Sequence, residues 1–113
     1  MNPELCIHMI NFFAEELRKT EERIKNRSQL DVKQYIGYII LLLIDTFGYD
    51  ENEPDKLRFT PSRKDFARFA GITYETTIRA LLHLQNEKLF KLKEKEICIV
   101  NEANLRKYVE VNN

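Results

Sequence analysis

The chemically suggestive side chains of this 113-residue chain concentrate in one stretch, between Lys56 and Lys95. Within it Glu75 and Arg79 stand four apart, so on a helix their carboxylate and guanidinium share one face. Taken alone, that spacing describes a solvated surface pair more readily than a recognition pair. The same stretch holds ten basic residues against four acidic ones, a net +6. The whole chain balances 18 Lys+Arg against 18 Asp+Glu, so the remainder carries −6. An asymmetry of that size points to a polyanionic partner for one part of the molecule. A Lys-rich surface by itself is as often plain solvated face.

Catalysis has no candidate set. There is no Gly-rich phosphate loop, no nucleophile with a plausible His partner and no clustered carboxylate pair. His8 and His83 are far apart, as are Cys6 and Cys98, so neither a metal site nor a disulfide framework has workable spacing. The expectation is a protein that is not an enzyme and takes no metal and no cofactor. Two cysteines in a Lys/Glu-rich chain suit a reducing cytoplasm. The opening Met1-Asn2-Pro3-Glu4 has no basic region before its apolar residues, so no secretory signal is expected. The longest apolar run, Tyr35 to Ile44 with Gly37 inside it, falls short of the roughly 20 residues a membrane span needs. No membrane partner is expected.

The elements that must position the basic stretch can be read from periodicity and caps. Pro3 to Arg27 reads as one long helix, with proline where its missing N–H costs nothing. Cys6, Ile10, Phe13, Leu17, Thr20 and Ile24 recur at alternating spacings of four and three, the seam of a two-stranded coiled coil. That seam predicts a homodimer, with packing onto the following helix as the alternative. A second stripe, Leu5, Met9 and Phe12, lies beside it. Residues 28–31 break the pattern as a hinge, and Asp31 caps a core helix from Val32 to about Phe47 that Gly48 ends. Leu57 to Phe59 is extended. Ser62 and Asp65 form a capping box for a short helix that Gly71 closes. Thr73 caps a helix to about Glu87. Leu89 to Lys93 and Glu96 to Val100 form a hairpin, and Asn101 to Val109 a closing helix. Tyr35, Tyr38, Phe66 and Phe69 are expected in the core. The fold expected is mainly α: a dimerisation helix (1–27), a hinge (28–31) and a winged helix-turn-helix domain (32–113).

Ala67 and Gly71 occupy the two places where helix-turn-helix geometry wants small residues. Helix, turn, helix and hairpin together make a winged helix, whose second helix enters a DNA major groove. Gly71, Glu75, Thr76 and Arg79 match the Gly…Glu-Thr-x-x-Arg pattern of the Crp/Fnr family of bacterial transcription regulators, which this stretch resembles. Residues 2–5 and 15–21 resemble that family's long dimerisation helix, and Ile97 to Val100 with Asn104-Leu105 its second wing strand and last helix. The family's sensor β-roll is not among these residues. The stripe Leu5, Met9 and Phe12 favours a piece of a longer regulator over a sensorless one.

The resemblance implies roles. Glu75 would accept from cytosine N4 and Arg79 would reach guanine O6/N7. Ser62, Arg63, Thr73 and Thr76 would touch phosphate, with Lys95 at the wing tip and Lys93 beside it. Tyr74 and Ile78 stand at base-reading positions where family members carry other residues, so the half-site should differ, and Ile78 could pack on a thymine methyl. The implied partners are double-stranded DNA and a second copy of the chain, with RNA polymerase to be considered for a full-length regulator. The competing expectations are a winged-helix protein-interaction module, or a sensorless dimerisation partner that does not bind DNA independently.

Overall fold

The computed structural model describes residues 3–25 and 31–110, and of Pro3, Cys6 and residues 20–25 only the helical backbone. The order is α1 (Pro3–Lys25), α2 (Val32–Phe47), α3 (Arg63–Ala70), α4 (Tyr74–Asn86), β1 (Phe90–Lys93), β2 (Glu96–Ile99) and α5 (Glu102–Glu110). It is a mainly helical fold with one small antiparallel hairpin, as expected.

α2 is the centre, and its sequence explains why. Ile36, Ile39, Ile40 and Leu43 are wholly buried, and α1, α3, α4 and α5 all pack on it. Burying each such side chain contributes about 1.5–3 kcal/mol. Its start is a full capping box: the Gln34 N–H donates to Asp31 at 2.8 Å, and the Asp31 N–H donates to the Gln34 amide oxygen at 3.3 Å. The buried Gln34 amide also donates to the Tyr108 carbonyl, which ties in α5. At Gly37 a Cβ would come within 2.9 Å of Val109, so the small residue lets α5 lie close against α2. The other end of α2 is clamped to the start of α5. The Tyr49 hydroxyl donates to Glu102 at 2.6 Å, and Arg106 bridges Glu102 to Asp45. Those hydrogen bonds from Tyr49 and Arg106 hold the Glu102 carboxyl below its usual range.

Three details differ from the sequence expectation. The Ser62–Asp65 box is only half formed. The Ser62 hydroxyl accepts from the Asp65 N–H, but the Asp65 carboxylate takes the Ser62 hydroxyl and Arg68 instead of an amide. Arg68 wins over the backbone, because a hydrogen bond between ionised groups is stronger. The stretch before α3 also does more than extend. Ile99 donates to the Asp55 carbonyl and Leu57 to the Ile97 carbonyl, which lays residues 55–57 along the free edge of β2.

The third difference concerns α1. Phe13 and Leu17 are 0% and 2% exposed, and Phe13 meets Phe69 of α3 edge-on at 5.2 Å and Phe47 of α2 at 6.2 Å. Two of the six seam positions therefore face inward to their own chain's core, not outward to a partner. Ile10 is half-buried against the same core. The side chains of Cys6, Thr20 and Ile24 lie outside the described residues, as does most of the hinge, residues 28–30. Among the described residues of the helix, Leu5, Ile7 and Phe12 are the half-exposed large apolar ones.

Candidate nucleic-acid interface

The interface is built from three local devices. The first is the turn between α3 and α4. Gly71 takes φ 68°, ψ 34°, the left-handed conformation that glycine adopts without strain. Ile72 donates back to Ala67 and Gly71 to Arg68, a Schellman closure that satisfies the last carbonyls of α3. The chain leaves in the direction that starts α4 at once.

The second device is the start of α4. The Thr73 hydroxyl accepts from the Thr76 N–H at 3.1 Å and donates to the Thr76 hydroxyl at 2.8 Å. The two hydroxyls stay at the helix start, where each can also meet an outside acceptor or donor. The inner face of α4 buries Thr77, Ala80, Leu81 and Leu84. Thr77 donates its hydroxyl to the Thr73 carbonyl at 2.9 Å, so the small polar residue in the core is satisfied. With that face fixed, the helical period turns Tyr74, Glu75 and Arg79 outward, with Ile78 half-buried beside them. The base-reading candidates thus stand together on one accessible face. The shared face that the i,i+4 spacing gives Glu75 and Arg79 does not make them a pair: among the described residues neither has an ion-pair partner. An exposed pair of this spacing is worth only about 0.2–0.5 kcal/mol, too little to hold two long side chains.

The third device is the wing. β1 and β2 pair from Phe90↔Ile99 to Lys93↔Glu96, so the loop is Glu94-Lys95 alone. Glu94 has φ 56° and Lys95 does not share the positive sign, the pattern of a type II′ turn, in which the first position favours glycine. Glu94→Gly is expected to stabilise the domain by about 1 kcal/mol, read as a higher Tm. An unchanged Tm would mean that the turn holds no strain.

Ser62, Arg63, Tyr74 and Lys95 line one groove, where the start of α3, the start of α4 and the wing tip meet. Arg63 is half-buried there, and burial lowers its pKa, opposed by Tyr74 and Glu96. A guanidinium stays charged regardless. Lys93 is not brought into this group. It lines a separate groove with Lys56, Lys91 and Cys98 on the outer face of the hairpin. Two residues that the sequence did not mark as DNA contacts, Lys33 and His83, border Thr76 and Arg79 on another side of α4. Nothing local marks Lys33, which is 43 positions upstream of Thr76 and arrives only through the packing of α2 on α4.

The family model for the Crp-like helix-turn-helix domain matches residues 37–108. The chain belongs to the Crp-like helix-turn-helix family. This Crp-like chain is 26% identical over 110 residues to the fumarate and nitrate reduction regulatory protein of Vibrio cholerae, across 97% of its own length and 44% of the relative's. It is 27% identical over 103 residues to electron transport regulator A of Shewanella oneidensis, covering 91% of this chain and 41% of that protein. The cAMP-activated global transcriptional regulator CRP of Pasteurella multocida is 25% identical over 99 residues, covering 88% and 47%. The Crp-like chain thus spans less than half the length of these curated relatives. In fold it resembles a CRP/FNR-family transcriptional regulator from Thermus thermophilus, with TM-score 0.67 and 20% identity over 99% of this chain and 57% of that one. Among the described residues of the Crp-like chain, no helix is long and apolar enough to cross a membrane, and no three His, Cys, Asp or Glu are grouped to hold a metal ion.

Proposed function

We propose that this chain binds double-stranded DNA sequence-specifically, as the output domain of a bacterial Crp/Fnr-type transcription regulator acting in the cytoplasm. The observation that carries this is the outward face of α4. Tyr74, Glu75 and Arg79 are exposed, and among the described residues Glu75 and Arg79 are uncommitted to salt bridges, while the opposite face is locked into the core. In a major groove Arg79 would donate two bonds to guanine O6/N7, Glu75 would accept from cytosine N4, and Ile78 would pack on a thymine methyl. Arg63, Ser62, Thr76 and Lys95 would hold phosphates, which fixes register without reading sequence. Lys93 stands apart from that group and would reach the backbone only beyond the wing.

A homodimer on a pseudo-palindromic operator fits a one-helix reader, with half-sites about one helical turn, ~34 Å, apart. Phe13 and Leu17 are occupied in the chain's own core. The exposed Leu5 and Phe12, two turns apart on one face, are what α1 offers a second copy or a preceding domain. The test is the salt dependence of duplex binding. DNA contact through Z phosphates gives a slope of log K against log salt of about −0.9 per contact. A steep slope with a preferred sequence is expected. A shallow slope would favour the protein-interaction alternative.

A further inference from the structure

Thr77, Ala80, Leu81 and Leu84 fix the inner face of α4. Seven residues make about two full turns of a helix, so Leu82 stands over Glu75 on the opposite face, with Arg79 one turn before it. Leu82 is 45% exposed and takes no part in the core. A single exposed leucine is ordinary. This one is not single. Tyr74, Ile78 and Leu82 recur every four residues, and the apolar ridge they form runs beside Glu75 and Arg79. Tyr74 is exposed like Leu82, and Ile78 is half-buried between them. Glu75, Ile78, Arg79 and Leu82 stand at offsets of 0, 3, 4 and 7, a set with which a helix lying along a major groove presents four side chains to base edges. After Arg79 the helix carries no further Lys or Arg, so this end of the face is not built to hold phosphate.

We propose that Leu82 is a further specificity-determining residue, which reads a thymine by packing on its C5-methyl group beside the base that Arg79 reads. The inference rests on the reading of α4 as the helix that enters the major groove. A leucine has no donor or acceptor, so it gains nothing from a phosphate or from a polar base edge. The apolar group that a base pair shows in the major groove is the thymine methyl. The three residues from Arg79 to Leu82 advance about 4.5 Å along the helix, against about 3.4 Å between stacked base pairs. That thymine therefore lies about one or two base pairs from the guanine of Arg79. Ile78 precedes Leu82 by one turn, about 6 Å, and meets a thymine of its own. The half-site that follows has a G·C pair for Arg79 and two T·A pairs about two steps apart, each read by a different aliphatic side chain.

The experiment takes the duplex that the chain selects from a random pool and replaces each thymine in turn by deoxyuridine, which removes the methyl group and keeps every hydrogen bond. Wild type, Leu82→Ala, Leu82→Met, Ile78→Ala and Arg79→Ala are compared on the whole set. For wild type, deoxyuridine should weaken binding about fourfold at two positions, the worth of one buried methyl group at each. Leu82→Ala should abolish that cost at one position and keep it at the other; Ile78→Ala should do the converse. Leu82→Met keeps an apolar side chain of similar volume and should behave as wild type. Leu82→Ala should also keep the wild-type salt slope, because no phosphate contact is lost, and the wild-type Tm, because the position is exposed. A deoxyuridine cost that Leu82→Ala leaves in place at every position would overturn the assignment, as would a loss of Tm that accounts for the weaker binding. Arg79→Ala losing its G·C preference in the same series would then leave the DNA-reading helix intact. A wild type with a shallow salt slope and no selected sequence would overturn both.

Discussion

Phe13→Ala is expected to destabilise the chain by about 3–5 kcal/mol, the cost of deleting a fully buried aromatic side chain. Phe13 is 0% exposed and stands between Phe47 of α2 and Phe69 of α3, so its removal opens a cavity where three helices meet. The loss has two parts, the transfer of the ring back to water and the contacts forfeited by the rings left around the void. Urea unfolding at one fixed protein concentration should show a lower midpoint with an unchanged slope. Phe12→Ala is the internal comparison. Phe12 is 53% exposed, and its ring meets that of Phe47 at 6.2 Å. Its loss should cost about 1 kcal/mol or less. Similar small effects at both positions would mean that α1 does not dock on the domain in solution, and that its inward stripe is free to serve as the coiled-coil seam.

Arg79→Ala is expected to cost about 1–3 kcal/mol in binding to a matched duplex and to relax preference at one G·C pair. That is roughly a thirtyfold loss at the middle of the range. Arg79 is exposed and bridges nothing among the described residues, so the substitution should move folding stability by no more than about 0.5 kcal/mol. Binding and folding are thereby separable in one variant. Affinity for duplexes that differ only at single base pairs gives the readout. An equal loss on every sequence would show that Arg79 touches phosphate and reads no base.

Much of this was legible in the chain because local physics decided it. α2 begins after Asp31 and ends at Gly48, as its cap and terminator require. Gly71 is left-handed where the turn needs it, and the alternation from Phe90 to Ile99 gave the hairpin. The rest was settled by tertiary fit and by small local energy differences. A stripe at spacings of three and four is the same pattern whether it faces a second helix of a dimer or its own domain, and only the tertiary fit of Phe13 against Phe47 and Phe69 decides. The meeting of Lys33 with Arg79 is likewise a product of packing between distant segments. Glu75 and Arg79 have the right spacing for a pair, but the gain is smaller than the entropy of holding them. Asp65 took Arg68 over an amide because a bond between two ionised groups is stronger, and the Ser62 hydroxyl lies within its reach.

The most direct test of the central claim, that the outward face of α4 reads DNA sequence, is selection from a random duplex pool at moderate salt. Affinity for the winning sequence is then followed against salt, for wild type and for Arg79→Ala. The account predicts a two-fold-symmetric consensus containing a G·C step that Arg79→Ala no longer prefers, with a steep salt slope in both proteins. A pool that stays without consensus, or a consensus that Arg79→Ala recovers unchanged, would contradict it.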